Sequence, residues 1–152
     1  TDIIHKYGYS WCGGTCRWWT TEKLRALKKH TADGFDYVGI AADETHRFEK
    51  ESRPNRILIL KEWGVTEPEA LRYCYNLGFR WEEDEVLLYE IFDRVSCWCC
   101  GNNNLKELSN MYMFLPDYWS KLKDLQDRTD RPYRQKSNET VYDLEKRFNK
   151  AI

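Results

Sequence analysis

The sequence predicts a compact α/β unit with few strands and several helices, and three observations carry that expectation. Two short apolar runs are bracketed by turn residues, several stretches have helical periodicity with their own start and stop residues, and the cysteines fall into two tight clusters. At 152 residues the chain is long enough to bury a core without covalent staples.

In chain order, Thr20-Thr21-Glu22 followed by Leu24, Leu27 and Lys28-Lys29 suits a helix over residues 20–30. It has a polar N-cap and cations near its C-terminal end, where they oppose the helix dipole. Tyr37-Val38-Gly39-Ile40-Ala41-Ala42, between Asp33-Gly34 and Asp43-Glu44, reads as a buried strand, and Ile57-Leu58-Ile59-Leu60 as a second. Thr66-Glu67-Pro68-Glu69 has capping-box spacing and an early proline, which places a helix over Ala70 to Leu77, stopped at Gly78. Helical periodicity returns at Leu105 to Phe114, Tyr118 to Leu125 and Val141 to Phe148, with Leu105, Leu108, Tyr112 and Leu115 as a core stripe. Asp127 to Asn138 is a polar, proline-containing connector, so residues 1–126 read as the main body and 127–152 as a connector and helix packed on it.

The first cysteine cluster is Cys12-Gly13-Gly14-Thr15-Cys16 and the second Cys97-Trp98-Cys99-Cys100. Cys97 and Cys100 have the two-residue spacing that lets both sulfurs turn toward one ion, and the paired glycines let the first cluster bend likewise. Cys12, Cys16, Cys97 and Cys100 together supply four thiolates, enough for a tetrahedral zinc site or a four-iron four-sulfur cluster. Cys99 is the alternate to either member of the second pair. The competing reading is six buried cysteines packed as small hydrophobes, the role expected of Cys74.

No basic-then-apolar signal opens the sequence and no apolar run approaches a membrane span, so reduced thiols, a cytoplasmic address and no membrane partner are the expectation. A net charge of −1 argues against a general polyanion binder. The charge is uneven: residues 61–100 hold four Lys or Arg against nine Asp or Glu, densest at Glu82-Glu83-Asp84-Glu85. In the connector, Arg128, Arg131 and Arg134, with Lys136 and Tyr133, would form a positive strip for phosphates or nucleic acid if extended, although Asp127 and Asp130 interrupt it and favour a solvated tail.

Four phrases occur in an order that resembles the phosphoadenosine phosphosulfate reductase family of the adenine nucleotide alpha-hydrolase superfamily. They are Tyr9-Ser10-Trp11-Cys12-Gly13-Gly14-Thr15-Cys16-Arg17-Trp18, Gly39-Ile40-Ala41-Ala42-Asp43-Glu44-Thr45-His46-Arg47, Leu60-Lys61-Glu62-Trp63 with Tyr73, and Cys97-Trp98-Cys99-Cys100. The resemblance implies part of an adenine nucleotide alpha-hydrolase-like fold with a few parallel strands. It also implies that residues 1–126 are the C-terminal part of such a domain, holding the metal site. Trp19 stands where some members have a further cysteine.

Members bind nucleotide phosphates with a Ser-Gly-Gly-Lys-Asp-Ser type loop, which this sequence lacks. The resemblance therefore implies an adenine nucleotide site only with a missing N-terminal half or a separate chain as partner. Carried over from the family, Glu44 and Arg47 lie beside the substrate pocket, Arg47 pairing a sulfate or phosphate and Glu44 orienting it. The structural alternative is a local ion pair, and His46 reads as a hydrogen-bonded loop residue. Two functions follow as expectations: part of a nucleotide-dependent sulfur-transfer or reductase-type enzyme, or a noncatalytic metal-stabilised module that binds protein or nucleic acid.

Overall fold

The computed structural model describes residues 20–30, 34–50 and 54–150. It is a mixed structure of helices and two small two-stranded sheets, broadly α/β as expected, divided into two compact units, Lys23–Arg80 and one built on Trp81–Ile152. No run of Gly, Pro or Ser announces the division. Among the described residues, no helix is long and apolar enough to cross a membrane.

Helix α1, Thr20–His30, has Glu22 in its first turn and Lys28, Lys29 and His30 in its last. In the first unit, β1 (Asp36–Tyr37) runs parallel to β2 (Arg56–Ile57), with Asp36 opposite Arg56 and Tyr37 opposite Ile57. Between them lies α2, Thr45–Phe48. The strand expected over Tyr37 to Ala42 ends early. Val38 N–H still reaches the Ile57 carbonyl at 2.9 Å, but Ile40 N–H donates to the Val38 carbonyl at 3.0 Å, folding the chain tightly around Gly39. Ile40 and Ala41 are buried all the same, and Ala42 N–H pairs with the Val65 carbonyl at 2.8 Å.

The second expected strand is likewise short, because Ile59–Glu62 forms a helical turn, α3. An apolar run hides its side chains equally well in either conformation. Here Gly64, at φ +68°, reverses the backbone so that Val65 N–H meets the Leu60 carbonyl at 2.8 Å.

Helix α4, Glu67–Asn76, starts where the capping box placed it: Glu69 Oε2 accepts from Thr66 N–H at 2.9 Å and from the Thr66 hydroxyl at 2.8 Å. It stops in a Schellman motif. Phe79 N–H donates to the Cys74 carbonyl and Gly78 N–H to the Tyr75 carbonyl, with Gly78 at φ +85°.

The second unit opens with an antiparallel hairpin, β3 (Glu82–Glu83) against β4 (Val86–Leu87). The acidic run Glu82-Glu83-Asp84-Glu85 is this hairpin's exposed tip, and Asp84 and Glu85 both take positive φ, 49° and 64°, as a type I′ turn requires. Helix α5 (Leu88–Ile91) follows, then the cysteine loop, then α6 (Leu105–Phe114), α7 (Pro116–Gln126) and α8 (Val141–Asn149). Capping boxes start α6, from Asn104 and Glu107, and α8, from Thr140 and Asp143. Leu115 ends α6 and Pro116 begins α7, because proline needs no donor at a first helical position but cannot extend the preceding helix.

These three helices enclose the core. Leu108, Leu122, Val141 and Leu144 have no exposed surface, and the rings of Tyr112, Trp119 and Phe148 pack together with centroids 5.3–6.0 Å apart. The connector is neither an extended strip nor a free tail, although Arg128, Arg131 and Lys136 are exposed as a solvated segment would have them. Buried Gln126 donates through Nε2 to the carbonyls of Thr129 and Arg131 at 3.2 and 2.9 Å, and its Oε1 accepts from Val141 N–H at 3.3 Å. Arg134 and Glu139 then bridge in antiparallel fashion, and Tyr133 is 1% exposed. One buried amide thus satisfies the backbone of a turn that composition alone marks as polar and open.

Candidate metal centre and anion-binding loop

Of the expected thiol ligands, Cys12 and Cys16 lie outside the described residues, whereas Cys97 and Cys100 are brought together on one turn. Cys100 N–H donates to the Cys97 carbonyl at 2.9 Å, and Asn103 N–H to the Cys100 carbonyl at 3.1 Å, so two tight turns follow each other. Cys97 is exposed and Cys100 half-buried. Among the described residues no three His, Cys, Asp or Glu side chains form a metal-binding group.

The turns are braced from two directions. The Tyr133 hydroxyl donates to the Cys100 carbonyl, and Arg134 Nη1 donates to the Asn103 carbonyl at 3.1 Å. On the near side the Ser96 hydroxyl donates to Asn103 Oδ1 at 2.9 Å. Burial holds the Tyr133 hydroxyl well above the usual tyrosine range, so it remains a donor. Sequence reasoning missed both braces, since the Cys100 to Tyr133 separation of 33 residues leaves no local signal.

Cys99 has a different setting from its neighbours. It packs against the helical core, and burial, followed by the nearby Cys97, pushes its thiol up to about 11. Cys74 is a half-buried residue of α4. A soft metal needs thiolates, and partial burial makes Cys99 a costly one to form. Cys97 and Cys100 are the two thiols of this turn that would offer donors to a soft metal.

In the first unit the loop after β1 is built around its own charges. Arg47 Nη1 donates to Glu44 Oε1 at 2.6 Å, and Glu44 Oε2 accepts from Ala41 N–H at 3.1 Å. Partial burial pushes the Glu44 carboxyl up, but the Arg47 and Ala41 hydrogen bonds outweigh it and leave the group below the usual carboxylate range. Asp43 Oδ1 accepts from Glu67 N–H at 3.0 Å, tying the loop to the start of α4. The Arg47 side chain is 48% exposed and that of Glu44 only 14%, so the guanidinium meets solvent while the carboxylate holds it from behind. Such a pair can present a planar cation to an anion, and it is also a sound local brace.

An open cleft of about 200 Å³ lies beside the cysteine turn, and sequence reasoning did not find it. Its apolar wall is formed by Leu88 and Phe92, Trp98, Met111, Leu115 and Tyr118. The i, i+4 spacings of Leu88 with Phe92 and of Met111 with Leu115 are its traces in the sequence.

Comparison of the chain with protein-family models, with curated proteins and with solved structures finds no match.

Proposed function

We propose that this chain is part of a phosphoadenosine phosphosulfate reductase-like, nucleotide-dependent enzyme of sulfur-transfer or reductase type. Its contribution is a cysteine-bound metal cap and the anion-binding residues Glu44 and Arg47. The observation that carries the reading is the Cys97–Cys100 turn, whose carbonyl is fixed by a buried tyrosine and so presents its thiols on a braced backbone. The ordered sequence landmarks support it, as does the half-exposed Arg47 in the loop that follows a parallel strand.

Cys97 and Cys100 would hold the group together with Cys12 and Cys16. A bound zinc would clamp these segments, and a four-iron four-sulfur cluster would also carry electrons. Adenine nucleotide binding belongs to a partner half or a separate chain, in the cytoplasm. The intact Glu44–Arg47 pair equally suits the second reading, a noncatalytic metal-stabilised module that binds protein or nucleic acid.

The test is metal analysis with an absorbance spectrum on anaerobically purified protein. Cys97→Ser and Cys100→Ser should each release metal and lower the melting temperature together, since metal binding at such sites is coupled to folding. Cys74→Ser should do neither. A full metal complement in both turn variants removes the proposal.

A further inference from the structure

We propose that the cleft beside the cysteine turn binds a small aromatic carboxylate. Cys97 lines part of this cleft, but the inference invokes neither a bound metal nor a nucleotide.

Size sets the first limit. The space is about 200 Å³, somewhat more than the roughly 150 Å³ apolar cavity that accepts one benzene ring. One ring and a short acidic arm fill it; a nucleotide does not fit. The wall sets the second limit. Trp98 and Tyr118 meet with ring centroids 6.2 Å apart and planes inclined at 54°, forming an aromatic corner, and aliphatic side chains line much of the remainder. A flat apolar body stacks against one ring and meets the other edge-on.

Charge sets the third. Two ionic side chains line the cleft, Glu83 and Arg94. Glu83 already has a partner, for it accepts from the Tyr118 hydroxyl. Arg94 forms no ion pair among the described residues, and its one hydrogen bond is a long contact of 3.4 Å to the Asn102 carbonyl. A guanidinium beside apolar walls with no carboxylate of its own is complementary to an anion at one end of an apolar ligand, and its planar fork matches a carboxylate through two parallel hydrogen bonds.

The experiment is saturation-transfer NMR on the full chain with phenylacetate, phenylacetamide and acetate as probes. Phenylacetate should bind about tenfold more tightly than phenylacetamide, the difference expected for a charge-assisted contact, and acetate should give no signal. Arg94→Gln alters an exposed side chain and should keep the melting temperature while bringing the two aromatic probes to the same weak affinity. Val95→Phe, which adds a ring to the cleft lining, should remove both. The proposal is overturned if phenylacetate shows no transfer at about 10 mM, past the millimolar affinity expected of so small a ligand. It is equally overturned if phenylacetate and phenylacetamide bind alike, or if a folded Arg94→Gln protein keeps the tenfold preference.

Discussion

The hydroxyl of Tyr133 donates to the carbonyl of Cys100, and this bond joins the C-terminal connector to the cysteine turn. Tyr133→Phe keeps the ring in the core but leaves that carbonyl with the Asn103 N–H alone, at 3.1 Å. It should lower unfolding stability by about 1–2 kcal/mol in urea denaturation. The pH dependence has a definite sign. A hydroxyl whose folded pKa is raised contributes stability that is whole below the unfolded value, about 10, and that is lost as pH rises beyond it. The wild type should therefore lose stability more steeply than Tyr133→Phe above that pH.

Gln126 bonds both ends of the connector, so its removal should cost more than that of any surface polar group. Gln126→Leu leaves the Thr129 and Arg131 carbonyls and the Val141 N–H without this partner. A loss of about 3 kcal/mol in equilibrium unfolding is expected, from groups each worth about 1–3 kcal/mol when buried unpaired. Gln126→Glu, which retains only the acceptor, should fall on the same side.

At the hairpin tip, Glu85 holds φ at +64°, a region that side chains with a Cβ rarely occupy. Glu85→Gly should relieve this strain and raise stability by about 1 kcal/mol, and Asp84→Asn with it should add a little more. Replacement of Glu85 by Val should act in the opposite direction. Thermal melts of the three proteins decide the point.

The Glu44–Arg47 pair predicts behaviour in acid. Because the Glu44 carboxyl is lowered, its contribution is whole above the ordinary value of about 4.3 and is lost as pH falls through the folded pKa. Glu44→Gln should flatten that part of the acid unfolding curve. Under the proposed function, Arg47→Ala in protein joined to a nucleotide-binding half should cut activity or anion affinity about ten- to a hundredfold while leaving metal content intact, as fits one charge-assisted contact. Unaltered turnover would make the pair a brace and nothing more.

Local signals in the sequence were legible and distant ones were not. The Thr66–Glu69 capping box and Gly78 marked α4 because their bonds close within a few residues. The starts of α6 and α8 had the same advantage. Tyr37 to Ala42 and Ile57 to Leu60 misled because burial, not strand geometry, explains an apolar run: Ile40 and Ala41 are buried outside any strand. For the candidate site, the spacing of Cys97 and Cys100 anticipated their shared turn. That Tyr133 and Arg134 brace the loop depends on contacts across more than thirty residues.

The reach of that last contact orders events during synthesis. Residue 133 is polymerised 33 positions after Cys100, and a ribosome hides a comparable length of chain in its exit tunnel. The cysteine turn thus leaves the tunnel before its brace can form. Nascent chains halted after residue 133, with the turn outside the tunnel and Tyr133 still inside it, should expose thiols that alkylating reagents reach readily, and chains released from the ribosome should protect Cys99 and Cys100 first. The fixing of this turn is a late step in the life of the nascent polypeptide, whatever the order in which its residues were read.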